Sequence, residues 1–367
     1  MTNTKLDSSS VTSSVTSSVT SAATSTSSPT RWLIWGAGAI GGTLAAYLAR
    51  AGHDVTVVDT VSAHVDAINR DGLRITGPIE SFVARMPAFT PDTLQGTWDM
   101  IVLATKAHHT ERAVHALLPH LTRNGCVISA QNGLNEIAIA ELIGAERTIG
   151  AFVNFGADYL GAGEIHYGGR GAAVVGEIDG TISPRVQAIR DAWATFDERA
   201  IVTPNIWGYL WGKEAYGAML FATALTNESI ADALSIPRYR DVYIALAREM
   251  LSVGAARGVT AESFDGFDPS AYLDSAPLGA AERSLDQLAV HNRKSAKTHS
   301  GIWRDLAVRR RATEVDAQLG IVVTLGLEAG VPTPITVRLV ALIHEIENGE
   351  RAQSLDALNE LATLVTT

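Results

Sequence analysis

Short apolar runs alternate with amphipathic segments in the first half of the chain. Runs rich in β-branched and aromatic residues predict strands, and apolar residues recurring every three to four positions predict helices. The predicted strands span 32–35, 54–58, 73–76, 81–86, 100–104, 126–130, 148–154, 172–176 and 200–202, and the predicted helices span 39–51, 62–70, 109–121 and 183–197. This alternation predicts an α/β fold with a doubly wound parallel sheet.

After about residue 204 the pattern becomes helical throughout. Residues 206–226 form one long segment with almost no polar positions, and the later segments 241–257, 278–293, 312–329, 334–348 and 353–365 also suit helices. We therefore expect a Rossmann-type dinucleotide-binding domain over 31–204 and an all-helical substrate or dimerisation domain over 205–367. The active site should lie in the cleft between them, at the carboxyl ends of the strands.

Composition removes several classes of function. The 367 residues carry a formal net charge of -10, which argues against a nucleic-acid or anionic-membrane surface. No stretch of 18 apolar residues predicts a membrane span, so we expect a cytoplasmic protein. No cluster of His, Cys and acidic residues has metal-ligand spacing, so no metal is predicted. The single cysteine, Cys126, is interpreted as a buried strand residue.

The first thirty residues are dominated by serine, threonine and valine. The segment lacks the apolar core of a secretory signal and is too hydrophilic to offset the entropy of ordering. We expect residues 1–30 to be a disordered tail. A transit peptide is the alternative, although no arginine precedes Arg31.

A glycine-rich loop connects the first predicted strand to the first predicted helix. Its pattern Gly-x-Gly-x-x-Gly would allow a tight turn, bring the backbone close to a pyrophosphate and aim a helix N-terminus at the anion. A plain strand–helix turn is the alternative. The residues expected to contact the dinucleotide here are Gly36, Gly38, Ala39, Ile40 and Gly41.

Asp59 ends the second predicted strand, eighteen residues beyond Gly41. A carboxylate there can accept hydrogen bonds from the adenosine ribose and would repel a 2′-phosphate. No arginine follows in residues 60–64. The sequence therefore favours NAD over NADP, unless Asp59 is simply a solvated acid at a strand end.

Lys213 interrupts an otherwise apolar helical segment. A helix that is apolar all round is normally buried, and burial favours the neutral form of a lysine. Such a lysine can give up its proton near neutral pH, as a general acid must. The alternatives are a structural ion pair, or a side chain that reaches the surface beside Glu214.

Three other polar residues occupy positions suited to a cleft. Lys106 and Asn132 each follow a predicted strand, where side chains line the cofactor site, although a solvated lysine and an ordinary Asn-Gly turn explain them equally well. Glu314, like Asp316, is placed at a helix start, where a capping box is the alternative.

Taken together, five motifs resemble the ketopantoate reductase (2-dehydropantoate 2-reductase) family over roughly residues 31–348. In chain order they are Gly36-Ala37-Gly38-Ala39-Ile40-Gly41, Thr105-Lys106-Ala107, Gln131-Asn132-Gly133, Leu210-Trp211-Gly212-Lys213, and Thr313-Glu314-Val315-Asp316 before Gly330-Val331-Pro332-Thr333-Pro334. The resemblance implies hydride transfer between a nicotinamide cofactor and a 2-oxo acid or 2-hydroxy acid.

The resemblance also implies roles for individual residues. Lys213 would be the general acid, and Glu314 would bind the substrate hydroxyl and help to hold Lys213. Asn132 and Lys106 would lie by the nicotinamide ribose and the reacting centre, with Asn132 also contacting substrate. Ser300 is the nearest match to the family's substrate-binding serine.

The chain departs from the family pattern in ways that bear on substrate choice. Gly217 and Phe221 stand where the family commonly has asparagines, which predicts a larger, more apolar pocket, and residues 258–300 are longer than usual. Asp59 contrasts with the NADP preference of pantothenate-pathway members. We expect NAD with a 2-oxo acid or another carbonyl compound that is bulkier or aromatic, for which the mandelate-type dehydrogenases of the family are a precedent. Imine reduction and a non-catalytic NAD(H) sensor are the alternatives, and a homodimer is plausible.

Overall fold

The computed structural model describes residues 1–2, 30–294 and 298–365, so the predicted tail lies almost entirely outside the described residues. The strands are β1 (Arg31–Trp35), β2 (Asp54–Val58), β3 (Leu73–Thr76), β4 (Phe82–Ala84), β5 (Ala88–Phe89), β6 (Trp98–Leu103), β7 (Leu121–Ser129), β8 (Thr148–Val153), β9 (Gly156–Gly161), β10 (Glu164–Gly169), β11 (Ala173–Glu177) and β12 (Ile201–Val202).

The helices are distributed over both halves of the chain. They are α1 (Ala39–Arg50), α2 (Ser62–Asp71), α3 (Thr110–Leu117), α4 (Asn135–Ile143), α5 (Pro184–Trp193), α6 (Ile206–Thr223), α7 (Ile230–Ser235), α8 (Arg240–Ala256), α9 (Ala280–Arg293), α10 (Gly301–Trp303), α11 (Ile321–Ala329), α12 (Pro334–Glu347) and α13 (Leu355–Val365). Two π-helical segments, Arg304–Arg309 and Asp316–Gly320, precede α11. Helices α4 and α7 were not predicted from the sequence, and the single helix expected over 312–329 divides into a π-helical turn and α11.

The main sheet has the strand order β12-β11-β8-β7-β6-β1-β2-β5. This arrangement confirms the Rossmann-type doubly wound sheet, with its reversal of strand order between β1 and β6. The main sheet is parallel except between β8 and β11, which are antiparallel. The chain returns from β8 to β11 through a β-hairpin rather than a crossover helix, and a hairpin return favours antiparallel pairing. Cys126 is a buried residue of β7, as predicted, and burial raises the pKa of its thiol to about 12.

A second, four-stranded sheet has the order β4-β3-β10-β9. The β3–β4 pair was expected, but β9 and β10 were not, because their sequences are glycine-rich and have few apolar positions. Strand β10 pairs in parallel with β3, placing Ile165 opposite Ile75. Contacts so distant in sequence leave little signal in the local pattern.

Helix α6 packs closely against the main sheet. Strands β8 and β11 present Gly150 and Gly176 to Ile206, and a Cβ at either glycine would lie within 3.0 Å of the Ile206 side chain. The helix ends at Thr223 rather than at the predicted residue 226. Although α6 is largely apolar, no helix among the described residues is long and apolar enough to cross a membrane.

Candidate active site

The glycine loop joins β1 to α1 at the strand reversal of the main sheet. Gly36 has φ +102°, and a Cβ there would lie 2.9 Å from the backbone of Ala104. A Cβ at Gly41 would lie 2.1 Å from the carbonyl oxygen of Gly36. By contrast, apart from the adjacent residues of the loop, no described residue comes within 4 Å of a Cβ built on Gly38, the N-cap of α1. Gly36 and Gly41 therefore allow the tight turn, and Gly38 leaves free space at the N-terminus of α1.

Asp59 is directed toward this loop. Its Oδ2 accepts a hydrogen bond of 3.0 Å from the backbone N–H of Ala37, and its Oδ1 accepts one of 3.0 Å from Val61. The side chain is half-buried. The carboxylate thus lies beside the loop with one face open, where the sequence placed the adenosine end of a dinucleotide.

His64 contacts the other side of the loop. The sequence did not indicate a role for this residue. The backbone N–H of Gly163 donates to Nδ1 at 2.8 Å, and Nε2 lies 2.9 Å from the carbonyl oxygen of Ala37. Because Nδ1 accepts, the ring proton is on Nε2 and donates to Ala37. The histidine thus links the glycine loop to the β9–β10 turn.

Lys106 forms an ion pair with Glu314 across the cleft. The Nζ–Oε2 distance is 2.6 Å, and the backbone N–H of Ala107 donates to the other Glu314 oxygen at 2.7 Å. Glu314 is buried. Both of its carboxylate oxygens accept hydrogen bonds from residues that follow β6, Lys106 and Ala107, so the carboxylate does not cap a helix. The implied contact between Glu314 and Lys213 stays a prediction.

Asp305 joins the same ion-pair network and was missed from the sequence. It is buried and lies 3.4 Å from Lys106 Nζ, with Arg309 and Arg311 each at 2.9 Å. Burial raises the pKa of Asp305, but the hydrogen bond from Arg309 and the charges of Lys106 and Arg311 leave it below the ordinary value. Two of the three consecutive arginines, Arg309 and Arg311, therefore pair with this buried aspartate.

The loop that carries Asn132 lies against the helical half of the chain. Asn132 is exposed, and its backbone carbonyl accepts a hydrogen bond of 2.6 Å from Asn135. Gly133 has φ +101°, and a Cβ there would lie 3.0 Å from the carbonyl oxygen of Ala317. This close approach holds the strand-end loop against the π-helical segment that follows Glu314.

Lys213 lies on the one half-buried face of α6. That face recurs at helical spacing and consists of Tyr209, Lys213, Tyr216, Gly217 and Leu220. The ammonium of Lys213 donates to the carbonyl oxygen of Val153 at 2.7 Å and lies 5.2 Å from the Phe152 ring centroid. The expectation of a buried lysine is therefore corrected: its side chain is half-buried, because this face of α6 opens toward the cleft.

Two glutamates are buried behind Lys213. Glu136, in the first turn of α4, and Glu214 of α6 are at most 1% exposed, and three of their four carboxyl oxygens have no hydrogen-bond partner among the described residues. Burial raises the pKa of Glu136 to about 7 and that of Glu214 to about 8, although the charge of Lys213 lowers both. Glu214 is thus no partner for a lysine at the surface, and it is mostly protonated at neutral pH, whereas Glu136 is about half protonated.

Gly217 and Phe221, the two positions at which the sequence departs from the pattern of the family that it resembles, have different environments in the structure. Gly217 is half-buried on the open face of α6, whereas Phe221 is fully buried in the helical core. The expectation that Phe221 makes the cleft more apolar is therefore wrong, because its side chain is enclosed in the helical core. Ser300 is buried as the N-cap of α10, and its Oγ accepts a 3.1 Å hydrogen bond from Trp303.

Among the described residues, no group of three or more His, Cys, Asp or Glu side chains is arranged to hold a metal ion. The cleft instead brings together a glycine loop, an acid at the end of β2, a cross-cleft ion pair and a lysine on an open helix face. This combination of fold and site defines a dinucleotide-binding protein of the Rossmann type with a helical second half.

Comparison with family models shows to which family of such proteins this chain is related. The model described as ketopantoate reductase PanE/ApbA matches residues 32–180, and its C-terminal counterpart matches residues 205–347. The chain belongs to the ketopantoate reductase family.

The individual relatives are distant in sequence, but the matches extend over nearly the whole length of each relative. A 2-dehydropantoate 2-reductase of Mesorhizobium japonicum is 28% identical over 338 residues, covering 85% of this chain and 96% of the relative. One from Pyrococcus abyssi is 28% identical over 313 residues, covering 84% and 95%.

Solved structures show the same fold. A ketopantoate reductase from Ralstonia eutropha has a TM-score of 0.73 at 25% identity, with 87% of this chain and 99% of that chain covered. D-mandelate dehydrogenase with NADH and anilino(oxo)acetate has a TM-score of 0.76 at 20% identity, covering 88% and 99%, and at that identity the likeness concerns the fold.

Proposed function

We propose that this protein is a nicotinamide-dependent reductase of 2-oxo acids that uses Lys213 as its general acid. The observation that carries the proposal is the position of Lys213 on the open face of α6, the face turned to the cleft. Family membership and the ordered set of motifs support the same reaction. The reverse reaction, oxidation of a 2-hydroxy acid, uses the same groups.

The glycine loop fits the pyrophosphate of a dinucleotide. Free space over Gly38 and the N-terminus of α1 suit an anion, and Ala39, Ile40 and Gly41 form the first turn of that helix. NADH is favoured over NADPH, because the Asp59 carboxylate beside the loop would accept hydrogen bonds from ribose hydroxyls and repel a 2′-phosphate.

Lys213 protonates the carbonyl oxygen in this mechanism. The dihydronicotinamide, when bound, supplies a hydride to the carbonyl carbon, and negative charge develops on the oxygen. The Lys213 ammonium stabilises that charge and transfers one proton to it, giving the hydroxyl. The Val153 carbonyl fixes the position of Nζ, and the half-buried side chain allows reprotonation from solvent.

The remaining site residues position the reactants. Glu314 holds the Lys106 ammonium at the end of β6, beside the loop that presents Asn132. Both groups would lie by the nicotinamide ribose, and Asn132 would also contact the substrate. The hydroxyl of Ser300 accepts a hydrogen bond from the backbone N–H of Trp303 and donates to no acceptor among the described residues, so it would donate to a substrate oxygen.

The test is a reductase assay on the purified full-length chain. NADH oxidation should be followed with a panel of 2-oxo acids that includes 2-dehydropantoate and arylglyoxylates. Lys213→Ala should lower kcat by about 100- to 10,000-fold, the usual contribution of a general acid, without changing NADH affinity. Lys294→Ala removes an exposed lysine and is the matched control. Full turnover by Lys213→Ala on the best substrate would show that the assignment is wrong.

A further inference from the structure

The π-helical segment Asp316–Gly320 brings one polar side chain into the cleft. The segment begins two residues after Glu314, and the backbone N–H of Gln318 donates to the Glu314 carbonyl at 3.0 Å. It also lies against the loop of Asn132, because a Cβ on Gly133 would be 3.5 Å from Cγ of Gln318. π-Helical turns are rare and occur frequently at functional sites.

Gln318 lies between two glycines from opposite sides of the cleft. On one side is Gly133, and on the other is Gly217, one helical turn beyond Lys213. A Cβ built on Gly217 would lie 3.9 Å from Oε1 of Gln318, and no other described residue outside α6 comes within 4 Å of it. Neither flanking position has a side chain, so the glutamine side chain fills the slot and its carboxamide lies beside the open face of α6.

The carboxamide of Gln318 has hydrogen-bonding capacity that its neighbours do not use. Gln318 is only 8% exposed, and buried amides almost always have hydrogen-bond partners. Among the described residues, no hydrogen bond reaches this carboxamide, and its atoms are not enclosed like those of Glu136. Two N–H donors and one acceptor therefore remain available to a ligand in the cleft.

The chemistry of a 2-oxo acid matches these donors. Its carboxylate is bonded directly to the reacting carbonyl carbon, so it lies within about one helical turn, roughly 5 Å, of Lys213. The cationic side chains of this region are already paired: Lys106 with Glu314, and Arg309 and Arg311 with Asp305. The Gln318 carboxamide is a neutral N–H donor without a hydrogen-bond partner among the described residues, so it can bind the substrate carboxylate beside the open face of α6.

We propose that Gln318 binds the carboxylate of the 2-oxo acid and thereby determines specificity for acids over uncharged carbonyl compounds. The inference rests on the proposed function, since it presupposes a 2-oxo acid at Lys213. The hydrogen bond from the carboxamide orients the substrate so that its carbonyl oxygen faces Lys213. Gly133 and Gly217 carry no side chain that would compete with the glutamine for this position.

The test compares each 2-oxo acid with its methyl ester, which lacks the negative charge. Gln318→Met keeps the length of the side chain and removes its hydrogen bonds, and Gln318→Glu replaces the donor by a like charge. Gln318→Met should lower kcat/KM for the acid about 10- to 100-fold, the cost of one hydrogen bond to a charged group. Gln318→Glu should lower it further, and both variants should leave the ester within about threefold of the unmodified protein.

Controls separate binding of the carboxylate from a structural role. NADH affinity and the urea midpoint should be unchanged in Gln318→Met, and Gln187→Met, an exposed glutamine on α5, should behave as the unmodified protein. Equal losses on acid and ester, or no loss on either, would overturn the assignment of Gln318 while leaving the reductase intact. If the unmodified protein neither turns over nor binds any 2-oxo acid, the proposed function fails as well.

Discussion

The buried carboxyls behind Lys213 should make the protein less stable as the pH rises. Burial raises the pKa of Glu214 from 4.5 to about 8 in the folded state. Between these values the unfolded chain releases the proton while the folded protein retains it. The stability associated with this group is therefore fully present below about pH 4.5 and is lost as the pH rises through about 8.

Glu214→Gln removes this dependence and keeps the size of the side chain. Each pH unit between the unfolded and folded pKa values corresponds to about 1.4 kcal/mol. From pH 5.5 to pH 8 the free energy of unfolding of the unmodified protein should therefore fall by about 3 kcal/mol more than that of Glu214→Gln. At pH 8 the variant should be the more stable of the two, which is an uncommon result for a substitution in a core.

The measurement is urea unfolding of both proteins at several pH values between 5.5 and 8, without cofactor. Glu198→Gln changes an exposed glutamate and is the control for the general effect of removing one carboxyl group. Glu136→Gln should act in the same direction over a narrower range, because the pKa of Glu136 is raised to about 7. If the difference between the unmodified protein and Glu214→Gln is constant across this range, Glu214 does not hold a proton there and the reasoning is refuted.

Two further predictions concern the cofactor site. Asp59→Ala should narrow the preference for NADH over NADPH in kcat/KM, because it removes the repulsion of a 2′-phosphate, and equal use of both cofactors by the unmodified protein would contradict this role. Gly38→Ala should weaken NADH binding at least tenfold with little change in the unfolding midpoint, since its Cβ would point into open space at the loop. Gly41→Ala should lower both the affinity for NADH and the unfolding midpoint, because its Cβ would lie 2.1 Å from the carbonyl oxygen of Gly36. NADH fluorescence titration and thermal unfolding check both variants, and an identical response of the two would argue against separate roles.

Local features of the chain were predictable because their causes are local. The strand–loop–helix–strand unit from β1 to β2 follows from side-chain periodicity and from three glycines, and its elements agree with the structure within a residue. Helix α6 was predictable for the same reason, although its open face was not, because an apolar sequence does not show which side lacks a neighbour.

The site itself needed contacts between distant residues. No local pattern connects Lys106 with Glu314, which are 208 positions apart, or the two buried glutamates on α4 and α6. The π-helical segment was expected to be part of an ordinary helix, so Gln318 gave no signal in the sequence.

The sequence by itself determined the glycine loop, the α/β character of the first half and the helical character of the second, and the family. These depend on backbone conformation and on hydrophobic spacing, which a few neighbouring residues specify. The tertiary structure decided which charges meet, which acids are deprived of water and which face of α6 opens to the cleft. Those properties depend on packing between β7, β8, α4 and α6, because desolvation and pairing arise only when segments far apart in the chain come together.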